Sequence, residues 1–367
     1  MRALTINLGN SIEYPVLIDG NIVKNLQYHL KEHNIEGELY FIIDQYIFDK
    51  YKDLFFDKYN GYSANYKIVP AKKNNKTFFS ALQIFADLDR KNISRDTTII
   101  AVGGGVIGDL AGFVASCWYR GVNLIHIPTT LLAAVDSCVG GKTAINFRRT
   151  VNAIGTYHHP KCIFIDTALL KELPLREIRS GLGEIIKYAA IGGCEIKNLI
   201  DKSKCIEDLN IESLIAYSLT EKERYVRNDI GESANRLFLN FGHTIGHAIE
   251  FATFYDGEET LRHGEGVALG MGAIFRICIS LNLLKENDLT WLKGTLDKIG
   301  LPCSFSANKV GMSAMDLQDR INSLCFKDKK RTSDFLRLVL LNGVGSPMIY
   351  KTNDSELISL GIREVII

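Results

Sequence analysis

Short runs of β-branched and aromatic residues recur along the first half of the chain, at 39–43, 66–69, 97–102, 123–127 and 162–165. Each stops at a polar or conformationally special residue: Asp44, Pro70, Gly103, Pro128 and Asp166 respectively. The intervening segments are of helical length, and apolar strand runs separated by helices are the signature of a parallel α/β sheet covered on both faces. In such sheets ligands bind outside the carboxyl ends of the strands, so the residues that stop each run are candidates for function. The opening, residues 1–16, reads as a further strand, because Asn7, Asn10 and Glu13 interrupt any apolar core of a signal peptide. After about residue 168 the pattern changes. Segments 214–227, 242–254 and 267–284 carry apolar residues at helical spacing, with Gly266 and Gly270 easing close packing. We therefore expect an α/β domain over 1–168 and a mostly helical domain over 169–367, packed closely with a cleft between them, since no repeat, low-complexity tract or long linker intervenes.

Composition narrows the function classes. The 367 residues carry 43 basic and 42 acidic side chains, a net charge of +1, which argues against a nucleic-acid partner held by a general basic surface. No run approaches the roughly 18 apolar residues of a membrane span. The eight cysteines, Cys117, Cys138, Cys162, Cys194, Cys205, Cys278, Cys303 and Cys325, have neither disulfide-framework nor zinc-knuckle spacing and read as reduced thiols of a cytoplasmic protein.

Candidate chemistry concentrates in a few blocks. In 236–250, His243 and His247 stand four residues apart, with Asn240 and Arg236 at similar intervals before them. On one α-helix all four would share a face. The pair alone is compatible with packed histidines as well as with a metal. Glu184 and Lys187 precede it, and Arg262-His263-Gly264-Glu265 follows. Imidazoles with a carboxylate make a three-ligand zinc set that leaves a coordination position open. Gly103-Gly104-Gly105-Val106-Ile107-Gly108-Asp109 follows a strand run and satisfies a dinucleotide-type glycine pattern, although a merely tight strand-to-helix turn has the same form. No acidic residue ends the next strand, which closes instead on Pro128-Thr129-Thr130; the acidic strand end is Asp44. Gly140-Gly141-Lys142-Thr143 resembles the tail of a nucleoside-triphosphate loop, but Asp136 occupies the place of its first glycine, leaving Lys142 as a candidate point charge for a phosphate. Arg120, Lys187, Lys222, Arg236, Lys329 and Lys330 are further basic residues at element ends, each alone compatible with a solvated surface group.

Taken in order, GGGVIGDLAGFVAS, YRGV, HIPTTLLAAVDSCVGGKTAIN, GLGEIIKY, LNFGHTIGHAIE, HGEGVALGM and DKK before LRLVLL resemble 3-dehydroquinate synthases and the wider sugar-phosphate cyclase family, over nearly the whole chain. The resemblance implies a Rossmann-like NAD-binding α/β domain followed by a helical metal- and substrate-binding domain. It implies zinc, or another divalent metal such as cobalt, on Glu184, His243 and His263. It places NAD against Asp44, Lys76, Gly104, Gly105, Val106, Asp109, Thr129, Thr130, Asp136 and Lys142. The substrate phosphate would meet Lys142, Asn152, His247 and Lys330, with Arg120 reaching across from the second subunit of a homodimer. Lys187, Lys222, Arg236 and Asn240 would hold the carboxylate and ring hydroxyls of a small phosphorylated sugar acid. The implied activity is a carbon–oxygen lyase reaction: transient oxidation, β-elimination of phosphate, re-reduction and aldol closure of 3-deoxy-arabino-heptulosonate 7-phosphate.

Two departures bear on substrate. Val151 stands where the family pattern has a lysine, and Lys73 falls in a stretch where it has an acidic residue. The ending LLNGVGSPMIY is closer to cyclases of antibiotic pathways, so an amino or carboxylate-free sugar phosphate is an alternative substrate. A metal-dependent polyol dehydrogenase, and a cofactor-binding protein without catalysis, are alternatives of other classes.

Overall fold

The computed structural model describes residues 1–56, 63–148, 150–254, 259–327 and 335–367. The chain forms two compact units, Met1–Pro174 with Val226–Ile230, and Leu175–Tyr225 with Gly231–Ile367. This differs from a single cut at 168. The short helix α5 (Thr167–Lys171) stays with the first unit. Residues 226–230 return to it because the Asn228 amide donates to the Leu8 carbonyl at 2.9 Å.

The first unit is built on a seven-stranded sheet of order β1-β2-β9-β6-β5-β3-β4. Its strands are β1 (Arg2–Gly9), β2 (Ile12–Asp19), β3 (Glu38–Asp44), β4 (Ser63–Val69), β5 (Thr98–Gly103), β6 (Asn123–Pro128) and β9 (Cys162–Asp166). All neighbours are parallel except β1 and β2. The stretch read as one opening strand is a hairpin. Asn10 and Ser11 adopt φ of 50° and 63°, a left-handed conformation that small polar side chains tolerate and that reverses the chain.

Strands β5 and β9 are buried along their whole length, which is why they read as unbroken apolar runs. One face carries Phe41, Ile43, Ile100, Val102 and Phe164, packed with Leu26, Leu30, Ile47 and Phe55 from α1 (Leu26–Glu32) and α2 (Gln45–Phe56). The other carries Tyr40, Ile42, Ile99, Ala101 and Leu124, packed with residues of α3 (Phe78–Arg90) and α4 (Gly105–Cys117). From β3 the chain runs outward to β4, then returns to β5 on the other side of β3. This reversal opens a crevice at the carboxyl ends of β3 and β5, where open α/β sheets bind ligands. An exposed ribbon, β7 (Lys142–Phe147) with β8 (Thr150–Tyr157), lies against α4.

His126 in β6 is buried, and burial, with a smaller contribution from the neighbouring His158, pushes its imidazole down from 6.5 to about 4. A depressed histidine stabilises the fold fully above its unfolded pKa and loses that contribution as pH falls toward the folded value. His126→Gln should therefore flatten the fall in stability between pH 6.5 and 4, by about 2 to 3 kcal/mol near the acid end. Urea midpoints at neutral pH and near pH 4.5 check this. Parallel losses in the two proteins would refute it.

The second unit is mainly helical: α6 (Leu175–Ile191), α7 (Cys194–Lys202), α8 (Ile211–Val226), α9 (His243–Ala252), α10 (His263–Ser280), α11 (Glu286–Ile299), α12 (Ala314–Lys327) and α13 (Ser355–Val365). The expected helices at 214–227, 242–254 and 267–284 correspond to α8, α9 and α10. The unit also holds a hairpin outside a purely helical reading, β10 (Leu336–Leu341) and β11 (Pro347–Thr352). No described helix is long and apolar enough to cross a membrane, and none of the eight cysteines is in a disulfide.

Candidate active site and metal centre

In the second unit, three helices come together through glycines. A Cβ on Gly264 would lie 1.9 Å from the Ser180 carbonyl oxygen, and one on Gly183 would lie 2.5 Å from the Gly264 oxygen. Only hydrogen at both positions lets α6 and α10 meet backbone to backbone, and the Gly264 amide donates to Ser180 Oγ at 3.1 Å in the contact. The first turn of α10 is pinned again by Glu265. Its carboxylate accepts from the Arg262 amide at 2.8 Å and from both Nε and Nη2 of Arg176 at 2.8 and 2.7 Å.

This packing sets Glu184 of α6 beside His263, the first residue of α10, and His243, the first residue of α9. Glu184 Oε1 stands 3.3 Å from His243 Nε2 and 3.2 Å from His263 Nε2. The other nitrogen of each ring is anchored, His243 Nδ1 on the Phe241 carbonyl at 3.0 Å and His263 Nδ1 on Glu250 Oε1 at 3.1 Å. Protons on the two Nδ1 atoms leave both Nε2 lone pairs facing Glu184. His247 completes the cluster, with ring centroids 5.3 Å from His243 and 5.5 Å from His263.

The donor set fits a divalent cation. The Glu184 carboxylate is fully buried, and neither of its oxygens has a partner in good hydrogen-bond alignment. Its approaches to the two imidazoles are therefore close without being directional. Ligand atoms around a tetrahedral ion with bonds of about 2.1 Å stand about 3.4 Å apart, close to the separations seen here. Burial opposes the charged imidazole of His263, but Glu184 and Glu250 outweigh it and push the group up to about 10. Burial would likewise raise Glu184, yet the Lys187 ammonium and His243 hold its carboxyl well below the usual range. His247 goes the other way, pushed down to about 4 by burial and by His243, and so stays neutral at pH 7.

Lys187, one turn after Glu184 and 1% exposed, lies 2.5 Å from Glu184 Oε2. Lys222 on α8 and Arg236 are also buried, at 5% and 2% exposure. Fully buried ionic groups are rare unless paired or functional, and this unit buries several. One expectation is corrected: Arg236 and Asn240 do not lie on the histidine helix. Helix α9 starts at His243, after Gly242 at φ 77°, and the two residues sit on a preceding 3-10 turn, Asn235–Asn240, which packs against α6. The left-handed glycine breaks the helical register, so the shared face holds only from His243 onward. Asn240 Nδ2 donates to Glu232 Oε1 at 3.0 Å.

In the first unit, the residues assigned to a dinucleotide gather at the carboxyl ends of neighbouring strands. Asp44 ends β3 and accepts from the Ala71 amide at 3.2 Å; burial pushes its pKa up, against that bond. Gly104 and Gly105 open α4 after β5, and a Cβ on either would crowd Thr130 or Ser137 respectively. The Thr129 amide donates to the Gly103 carbonyl at 3.0 Å. Val106 and Asp109 follow on α4, and Asp136 lies in a π-helical turn, Ala133–Ser137. Bare backbone at a helix start beside two threonines is what a pyrophosphate needs.

Lys76 bridges two of the assigned residues, pairing with Asp109 and donating to Asn152 Oδ1 at 2.5 Å. Lys142 starts β7 and is exposed, and Arg120 is exposed at φ 67°. Lys330 lies outside the described residues. Glu250 is the site residue that the sequence reading passed over, although its spacing of three after His247 and seven after His243 places it on their face of the helix.

A glycine-opened helix at the switch point of a parallel sheet, joined to a helical unit with a carboxylate–imidazole cluster, defines the class: an α/β dinucleotide fold with an added metal-site unit. Residues 66–180 match the family described as 3-dehydroquinate synthase N-terminal, and 181–331 the family described as 3-dehydroquinate synthase C-terminal. The chain belongs to the 3-dehydroquinate synthase family. It is 36% identical to the 3-dehydroquinate synthase of Rippkaea orientalis over 96% of each chain, and 34% identical to that of Pelobacter propionicus over 100% of each. Among solved structures it resembles 2-deoxy-scyllo-inosose synthase complexed with carbaglucose-6-phosphate, NAD+ and Co2+, at TM-score 0.86 and 27% identity, covering 99% of this chain and 100% of that one. The fold is also shared with a 2-epi-5-epi-valiolone synthase from Streptomyces hygroscopicus, with NAD+ and Zn2+ bound, at TM-score 0.83 and 21% identity over 96% and 97% of the chains.

Proposed function

We propose that the protein is an NAD- and metal-dependent 3-dehydroquinate synthase, converting 3-deoxy-arabino-heptulosonate 7-phosphate to a carbocycle with loss of inorganic phosphate. The observation that carries the reading is the convergence of both histidine Nε2 atoms on the buried Glu184 carboxylate, in a unit that also buries Lys187, Lys222 and Arg236. When bound, NAD supplies a reversible hydride acceptor and the divalent cation a Lewis acid for a substrate alcohol.

The chain's own residues do the rest. Glu184, His243 and His263 hold the cation, zinc or cobalt. Asp44, Gly104, Gly105, Val106, Asp109, Thr129, Thr130 and Asp136 hold the dinucleotide, with Lys76 fixing Asp109. Arg236 clamps the substrate carboxylate as a planar fork, and Lys187, Lys222 and Asn240 orient its hydroxyls. Lys142 and Asn152 meet the phosphate, with Lys330 and, from the second copy of a homodimer, Arg120. His247, neutral at pH 7, meets the same phosphate and can donate a ring N–H to it. Because the cofactor ends as it began, the net reaction is a lyase reaction. The cytoplasm, where thiols stay reduced, suits eight cysteines outside any disulfide.

Purified protein with NAD+, zinc and this substrate is expected to release inorganic phosphate without accumulating NADH. No phosphate at any zinc or cobalt loading would end the proposal. A second reading, a cyclase for a sugar phosphate without a carboxylate, is favoured by the likeness to the scyllo-inosose enzyme and by exposed Val151 in place of a lysine.

A further inference from the structure

We propose that Glu250 is a positioning residue of the metal centre, acting through His263 to fix the tautomer and tilt of that ligand. The inference rests on the metal site proposed above. Glu250 Oε1 lies 3.1 Å from His263 Nδ1, while Nε2 of the same ring faces Glu184 Oε1 at 3.2 Å. A neutral imidazole has one proton and one lone pair. A carboxylate on Nδ1 draws the proton there and leaves the lone pair on Nε2, pointing into the cluster. Without it the opposite tautomer puts N–H toward Glu184, and the ring binds Glu184 instead of a cation.

Two further observations show that the place of Glu250 is built. A Cβ on Gly266 would lie 2.6 Å from Glu250 Cγ and 2.7 Å from its Oε1, so the stem and carboxylate occupy space that a missing side chain on α10 leaves open. Glu250 also rides on α9 with His243, so one helix supplies a ligand directly and orients another on the neighbouring helix. The two imidazoles are consequently unequal. His243 is backed by a neutral carbonyl of Phe241, whereas His263 is backed by a carboxylate. A carboxylate partner raises the donor strength of a ligating histidine, and its loss costs about 10- to 100-fold in metal affinity in such sites.

The test is zinc affinity of the purified protein by competition with a chromophoric chelator, together with the visible spectrum of the cobalt-loaded protein. Glu250→Ala should weaken zinc about 10- to 100-fold and alter the cobalt bands. Glu250→Gln, which keeps an acceptor but not the charge, should fall between alanine and wild type. Gly266→Ala should crowd Glu250 and weaken zinc too, and Glu250→Ala combined with Gly266→Ala should be no weaker than the worse single variant, since both act through one contact. Zinc affinity of Glu250→Ala within twofold of wild type, with an unchanged cobalt spectrum, would overturn the inference and leave the metal centre standing. Failure of the wild-type protein to bind either metal would overturn the metal centre itself, and the inference with it. Circular dichroism in chelator identifies a variant that fails to fold; if Glu250→Ala does, Gly266→Ala decides the question by the same two readouts.

Discussion

Glu184→Gln is expected to abolish zinc retention and, measured in chelator, to lower the unfolding free energy by about 3 to 5 kcal/mol. Two separate physical effects meet in this residue. Its carboxylate is the one anion on which both histidine Nε2 atoms converge. It is also the counter-charge of Lys187, whose ammonium lies 2.5 Å away and is 1% exposed. A glutamine keeps the volume but not the charge, so a buried ammonium is left without its anion, the costly half of breaking a buried pair. The double variant Glu184→Gln/Lys187→Met separates the effects: most of the stability should return, and zinc should not. Denaturant titration in chelator and metal analysis of the dialysed proteins provide the two readouts. A Glu184→Gln protein as stable as wild type and still loaded with zinc would refute both.

Arg236→Ala is expected to cut kcat/KM for a carboxylated substrate by about 100- to 1000-fold, the loss of about 3 to 4 kcal/mol of a buried charge-assisted clamp. On a sugar phosphate without a carboxylate the same change should matter little, because the fork then has no anion to grip. The pair of substrates is needed because Arg236, at 2% exposure, is part of the packing of its turn. Phosphate release on both, with thermal melts as a control on folding, distinguishes the cases. Equal losses on both substrates would remove Arg236 from substrate choice.

Fold class is legible in the chain because β3, β5, β6 and β9 are covered on both faces, and doubly buried strands leave largely apolar runs ending at Asp44, Gly103, Pro128 and Asp166. The hairpins are less legible. The turn at Asn10 and Ser11 follows Gly9, itself at φ 77°, but Asn7, Asn10 and Glu13 read as polar interruptions of one strand rather than as a reversal, so two strands read as one. The ribbon of β7 and β8 is solvated along most of β8 and shows little apolar alternation. Strand β10 lies in a segment dominated by helices, although Asn342-Gly343 after it is a turn signal. At the site, a spacing of four between His243 and His247 correctly places both on one helix, but spacing alone carries no information on where that helix begins. Gly242 is a left-handed stop that reads in sequence as one more small residue. Glu250 is missed for another reason: its spacing puts it on the histidine face of α9, but its partner is a ring thirteen residues later, brought back by the α9–α10 contact, and spacing does not show that contact.

The backbone contact between α6 and α10 at Gly183 and Gly264 also governs how this centre can fail. Side chains at a helix crossing can change rotamer and let the helices slide, but a crossing made of main-chain atoms has no such play. Loosening of α10 would therefore carry His263, its first residue, away from Glu184 together with the helix. Undocking α10 would remove a histidine from the cluster along with the helix contact, whereas loss of a cation alone leaves the contact in place, because Gly183 and Gly264 meet Gly264 and Ser180 through main-chain atoms.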